Sequence, residues 1–303
     1  MDRATGFAII VNIGLFSVPA PPTRDRCVRR GFFVGQGNFF LAGQLGNSTT
    51  KSEIACGVMW RINQNHASVN AAGLSASLNL RQPDRGLVDL VWQENSWSKC
   101  CLFQIRHPLA RHGFELLDAY VRGTDLVASY CLPSHRALAM QVYWRLLAFP
   151  EFRAAGIELI VSVQTELLDD DPCLTIRSEL PQGELLQATG LASGEFAPVG
   201  LPEPPAGGAC RCTVAGVFLD RLAAGGGVLQ AVHPADFSTA VFESDAGGDV
   251  VRCRFSLFEE RLEKGVLRRA RACGLLLGQS PDTEAAAWGC YRDWLAAEAP
   301  LTT

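Results

Sequence analysis

The sequence predicts an all-β protein, a large antiparallel β-sandwich ending in a short C-terminal helix. Three observations predict it. From Leu116 to Leu180 the chain reads as strand, turn, strand with almost no helical interruption. Gly, Asn, Asp and Pro punctuate the apolar runs along most of its length. Helical periodicity is firm only in the tail, where Trp288, Tyr291 and Leu295 recur on one face behind a Ser280 cap and Pro281 at the first helical position.

Taken in order, residues 1–52 read as a poorly structured or peripheral segment and 53–303 as one large sandwich. The apolar stretch from Phe7 to Ala20 is too short for a spanning helix and is closed by Pro19, Pro21 and Pro22. Its positive flank is weak, because Asp2 offsets Arg3. A first strand at Ala8-Ile9-Ile10-Val11, an upstream extension and an export signal are the readings left open. Gly35-Gln36-Gly37 with Phe40 in place of a third glycine fails as a dinucleotide fingerprint, since no strand precedes it and no amphipathic helix follows.

Candidate strands follow at Gly57 to Ile62, Leu74 to Leu80, Leu87 to Trp92 and Cys100 to Ile105. Leu116 to Val121 and Leu126 to Tyr130 predict a hairpin across Arg122-Gly123-Thr124-Asp125. Ala139 to Arg145 forms another strand. Ile157 to Thr165 and Leu174 to Leu180 repeat the hairpin design around Asp169-Asp170-Asp171-Pro172. After the Pro- and Gly-rich stretch Gly200 to Gly208, read as a surface loop, strands resume at Thr213 to Leu219, Val228 to Val232, Thr239 to Glu243, Val250 to Leu257 and Val266 to Leu277. Two smaller sandwiches divided near Gly200 are the alternative. No constant repeat points to a propeller or solenoid.

Composition narrows the function classes. Charged residues make up 19% of the chain and the net charge is -4, so no basic field marks a nucleic-acid partner. Eleven cysteines, an odd and scattered set in a chain large enough to bury a core, read as reduced packing residues. Cys100 and Cys101 should face opposite sides of a strand, while Cys210 and Cys212 share one. The latter pair is half a zinc site at most, and no second half accompanies it.

Two runs carry a resemblance. Gly156-Ile157-Glu158-Leu159-Ile160-Val161-Ser162-Val163-Gln164-Thr165, with Leu167-Leu168-Asp169 after it, and Leu262-Glu263-Lys264-Gly265-Val266-Leu267-Arg268-Arg269-Ala270-Arg271 resemble segments of an uncharacterised family of bacterial proteins, which names no activity. In length and strand-rich pattern the chain is also similar to the sugar-binding supersandwich of aldose epimerases and glycan-processing enzymes. That likeness implies a supersandwich-like fold, and without a matching motif it carries no catalytic residue over.

Among candidate site residues, His233 comes first, because it ends a strand just before a turn. An epimerase-like reaction would need it to protonate a ring oxygen while a carboxylate takes the anomeric proton, with Glu243, Glu158 or Glu263 as partner. The plainer reading is a His-Pro turn in which His233 and Asp236 bond local backbone. Arg252, Arg254, Arg261, Lys264, Arg268, Arg269 and Arg271 make one region basic. Alternation sets Arg269 and Arg271 together on one face, where they could grip an acidic saccharide or a partner's carboxylates; a solvated sheet face is the plainer reading. Trp60, Trp92, Trp97 and Trp144 are candidate sugar-stacking platforms or core residues. The cluster His107-Pro108 with Arg111-His112 reads as a surface loop, and the acidic run Glu166, Asp169, Asp170, Asp171 as a turn rather than a calcium loop. No Gly-x-Ser-x-Gly elbow or Walker loop is present.

The resulting expectation is a soluble bacterial binding protein for a carbohydrate or another protein. The alternatives are a carbohydrate epimerase or lyase-like enzyme and a purely structural or interaction domain. No cofactor, metal, nucleic acid or membrane partner is expected. The location expected is the cytoplasm, or outside it if the apolar N-terminus is a signal, and no pattern sets the oligomeric state.

Overall fold

The computed structural model describes residues 60–93, 95–97, 100–110, 113–201, 209–222, 225–245 and 247–297. The segment 1–52, its apolar run, the boundary at residue 53, Arg111 and His112 lie outside the described residues. Among those described, two large antiparallel sheets and one small ribbon account for most of the chain.

One sheet has ten strands. Nine run in spatial order Trp60–Asn63, His66–Ala71, Leu74–Asn79, Leu87–Trp92, Cys101–Arg106, Leu174–Pro181, Val250–Leu257, Ala240–Ser244 and Ala209–Cys212, and Asn95–Ser96 pairs beside Leu87–Trp92. The second has nine, in the order Phe196–Pro198, Glu184–Ala188, Val217–Arg221, Gly227–Val232, Leu267–Leu277, Ala154–Thr165, His135–Phe149, Asp125–Leu132 and Glu115–Arg122. Both sheets draw strands from either side of Gly200. The all-β sandwich expected from the strand pattern is therefore present.

Strand alternation sorts the side chains between core and outer face. In Ala154–Thr165, Ala155, Ile157, Leu159, Val161 and Val163 enter the main core between the sheets with Trp144, Phe218 and Phe255. Ala154, Glu158, Ile160 and Ser162 take the outer face. The helix Thr283–Ala296 packs on part of that outer face, setting Ala287, Cys290, Tyr291 and Trp294 against Leu229, Ala231, Cys273 and Leu275. It can come close because Gly289 has no side chain: a Cβ there would stand 2.4 Å from the Phe152 ring.

Three expectations need correction. Ile157 to Thr165 and Leu174 to Leu180 are not a hairpin, because they belong to different sheets. The acidic stretch between them is a crossover, and Asp169–Asp170 pairs with Leu262–Glu263 in the small ribbon. The helix starts later than Ser280 and Pro281 suggest, because the Asp282 carboxylate accepts from the Ala285 N–H at 2.8 Å and caps it. The strand expected from Thr213 to Leu219 begins only at Val217, in the nine-stranded sheet, while Ala209–Cys212 before it belongs to the other. The bend between them holds Gly216 against the Phe237 ring, where a Cβ would come within 2.7 Å. Among the described residues no helix is long and apolar enough to cross a membrane.

Candidate functional site

The outer face of the nine-stranded sheet carries two polar rows in cross-strand register. Asp125 stands opposite Arg145, Arg145 opposite Glu158, and Glu158 opposite Cys273. Nearer the far ends of these strands, Ser129, Gln141, Ser162 and Arg269 align in the same way. Between the rows lies a small buried apolar cluster of Val127, Tyr143 and Ile160.

In the first row, Arg145 donates from Nε and Nη2 to the two oxygens of Asp125 at 2.8 and 2.9 Å, a bidentate fork that fixes the guanidinium plane. Its Nη1 lies 3.9 Å from Glu158 Oε2. Glu158 Oε1 accepts from Arg271 Nε at 2.8 Å and from Trp294 Nε1 at 2.9 Å. The Arg271 guanidinium lies 5.2 Å from the centre of the Trp294 ring, so the helix contributes both a donor and a cation–π face. Buried charges persist only when paired and bonded in this manner.

Beside this row the backbone N–H of Arg271 donates to Asp236 at 3.0 Å, and the His233 N–H donates to the Arg271 carbonyl at 2.9 Å. His233 Nδ1 accepts from the Ala235 N–H at 3.3 Å and stands 4.0 Å from the Asp236 carboxylate. Burial raises the Asp236 pKa, and the Arg271 N–H and His233 only partly offset this. The second row is lighter: Gln141 donates to Ser129 at 3.3 Å and accepts from the Tyr143 hydroxyl at 2.6 Å, and Arg269 donates to Ser162 at 3.4 Å. A cleft of about 420 Å³ opens next to it, lined by Asp236, Ser238, Phe258, Glu259, Arg268 and Arg269.

The structure thus gathers four of the residues singled out in the sequence, His233, Glu158, Arg269 and Arg271, on one face. Asp236 and Arg268 adjoin them at the cleft, whereas Glu243, Glu263, Trp60, Trp92 and Trp144 lie elsewhere. Glu243 is in the ten-stranded sheet, in register with Ala209 and Arg252, away from His233. Trp144 is 0% exposed inside the core and offers no ring to a ligand. Trp60 and Trp92 are buried as well, and Glu263 sits in the small ribbon. Asp125, Arg145 and Trp294 escaped the sequence reading. For Arg145 the signal was there, since Gln141, Tyr143 and Arg145 alternate with Met140, Val142 and Trp144.

The acidic run serves the crossover. Burial works against the charged form of Asp170, but hydrogen bonds from Thr165 at 2.7 Å and from His135 outweigh it and hold its pKa below the usual carboxylate value. Asp169 pairs with Arg261 at 2.7 Å. Cys210 and Cys212 share a face with their sulfurs 4.0 Å apart. Among the described residues no three His, Cys, Asp or Glu side chains gather as a metal site.

Solved structures align with this chain. A Klebsiella pneumoniae protein proposed to be an aldose 1-epimerase aligns over 78% of this chain and 87% of its own, with 9% identity and a TM-score of 0.51. A protein from Synechocystis sp. PCC 6803 aligns over 73% of this chain and all (100%) of its own, at 9% identity and TM-score 0.49. The heparan sulfate lyase HepC from Pedobacter heparinus aligns over 75% of this chain and 38% of the lyase, at 12% identity and TM-score 0.44. No protein-family model and no curated protein matches the chain. The Klebsiella likeness establishes a common fold, of the kind the strand pattern resembled, at an identity that transfers no residue's role.

Proposed function

We propose that this protein binds an acidic carbohydrate on the outer face of the nine-stranded sheet, with Arg269 as the anion contact. The observation that carries this reading is the in-register row Ser129, Gln141, Ser162 and Arg269 beside the cleft of Arg268 and Asp236. Hydroxyl and amide groups spaced along strands match sugar hydroxyls, and a guanidinium matches a carboxylate or sulfate in two-point geometry. The fold shared with a protein proposed to act on an aldose adds support at the level of architecture alone.

Binding is favoured over epimerisation because Glu158 is already engaged. Its carboxylate accepts from Arg271 and Trp294, so its role is to position Arg271 and not to take a proton from a sugar. The test is thermal unfolding and calorimetric titration with uronate-containing and sulfated oligosaccharides against neutral ones. An acidic sugar at a hundred times its Kd should add about 2.7 kcal/mol of stability, and Arg269→Gln should weaken affinity by about tenfold, near 1.4 kcal/mol. Equal shifts with neutral sugars, or affinity indifferent to Arg269→Gln, would remove the reading.

A further inference from the structure

The strand Glu115–Arg122 ends the nine-stranded sheet. Asp125–Leu132 pairs with it on one side, and on the other no described strand is hydrogen-bonded to it, while Trp60–Asn63 of the ten-stranded sheet comes near it. Its apolar side chains are open to solvent, Leu117 at 58% and Tyr120 and Val121 at 39% exposed. Sheets ordinarily protect such an edge with a very short strand, a proline or lysines. This strand has eight residues and neither Pro nor Lys; its one irregularity is a bulge between Leu116 and Asp118.

Backbone direction follows from the hairpin. Arg122 and Asp125 flank the two-residue loop Gly123-Thr124 and pair across it. Such a flanking pair exchanges both of its backbone hydrogen bonds, and hydrogen-bonded and open positions alternate from there. Arg122, Tyr120 and Asp118 therefore turn their N–H and C=O groups toward Asp125–Leu132. Those of Val121 and Ala119 point outward, away from the sheet.

A second antiparallel copy can add across a two-fold axis only where outward groups meet outward groups, which holds for an axis at an outward residue or at the inward residue between two outward ones. At Val121 the pairing would run Ala119 into the turn glycine Gly123, at Leu117 it would centre on the bulge, and at Ala119 it would set Val121 against the bulge residue Leu117. An axis at Tyr120 keeps the pairing within the regular stretch from Asp118 to Arg122. With the axis there, Val121 stands opposite Ala119 of the second copy, Tyr120 opposite its Tyr120, and Arg122 opposite its Asp118. Opposite charges directly across a strand pair attract. Tyr120 and Val121 thus each meet an apolar residue, and Arg122 meets Asp118 twice over.

We propose that a second copy of this chain docks on Glu115–Arg122, continuing the nine-stranded sheet through a two-fold axis at Tyr120. Arg122 lies 5.9 Å from the Tyr143 ring on the outer face, so the two outer faces would then lie side by side. The proposal stands apart from the carbohydrate reading and needs no ligand.

Sedimentation velocity across a range of micromolar concentrations tests it. The native protein should sediment as a dimer. Ala119→Pro removes an outward N–H without breaking a ladder bond, and Val121→Lys sets a charge against Ala119 of the second copy; each should weaken the dimer at least tenfold while circular dichroism stays that of the folded chain. If Ala119→Pro fails to fold, Val121→Lys on the exposed edge carries the test. Asp118→Arg and Arg122→Asp should each weaken the dimer, and the double exchange should restore it. A native protein that remains monomeric throughout, or a dimer indifferent to Val121→Lys and to both charge changes, would overturn the proposal.

Discussion

Glu158 and Asp220 are both 1% exposed on strands of the nine-stranded sheet, Glu158 on its outer face and Asp220 on its inner one. Glu158 accepts from Arg271 and Trp294 and has Arg145 near its second oxygen. Asp220 follows Phe218 into the core, and neither of its oxygens finds a well-formed hydrogen bond. Burial pushes its pKa up to about 7, and the Gly183 backbone N–H eases that only slightly. Gln230 shares the same inner face, with its own carbonyl oxygen unbonded. The contrast shows two ways for one sheet to hide a carboxyl group. The outer face supplies cations and roofs them with a helix, whereas the inner face leaves the acid among apolar neighbours, where the neutral form is favoured.

The sharpest way to break this contrast is to remove a partner from Glu158. Arg271→Met should cost about 3–5 kcal/mol in urea unfolding, because a buried carboxylate loses its main counter-charge. A loss below about 1 kcal/mol, the value of an exposed pair, would mean that Arg145 or water takes over and that the outer site is less closed than its geometry implies.

Asp220 should respond to pH with the opposite sense to a salt-bridged acid. Its folded pKa of about 7 lies above the ordinary value of 3.8, so the folded chain holds the proton more tightly. Its stabilising effect is complete below the unfolded pKa and is lost as pH rises to about 7. About three pH units at roughly 1.4 kcal/mol each set a ceiling near 4 kcal/mol. Asp220→Asn cannot ionise, so its stability relative to the native chain should climb between about pH 4 and about pH 7 and then level off. Parallel urea midpoints for the two chains across that interval would show that water reaches the carboxyl group.

How much of this could be read from the chain differs by feature. The faces of a strand were readable: Met140, Val142 and Trp144 against Gln141, Tyr143 and Arg145 is plain alternation, and so is the run from Ile157 to Thr165. Pairing was not. Ile160 meets Arg271, a residue more than a hundred positions away, and nothing local encodes that register. Glu158 and Arg271 were therefore separate candidates until the sheet put them on adjacent strands. The Asp169-Asp170-Asp171-Pro172 turn chemistry serves a crossover between sheets as well as it serves a hairpin, which is why the hairpin expectation failed. Asp220 gave no warning either, since an acid closing the run Val217-Phe218-Leu219 reads as the polar end of a strand. Trp144, offered as a ligand platform, shows the same ambiguity from the other side, because a tryptophan on a strand fits core or surface until its neighbours are known.

The smallest effect concerns the helix that roofs Glu158. Asp282→Ala removes the carboxylate that accepts from Ala285, and loss of such a cap costs about 1 kcal/mol. Glu284 in the first turn still favours the positive end of the helix and still reaches Arg221 at 2.9 Å, which limits the damage. Trp294 lies at the opposite end, fixed by Glu158 and by its packing against Tyr291. Near-ultraviolet circular dichroism of the tryptophans should therefore stay unchanged while urea stability falls by that amount. A cost well above about 2 kcal/mol, the upper range for a cap, accompanied by an altered tryptophan signal, would mean that the roof is anchored from its N-terminal end. The difference between Glu158 and Asp220 would then arise from helix docking and not from the hydrogen bonds that Arg271 and Trp294 make.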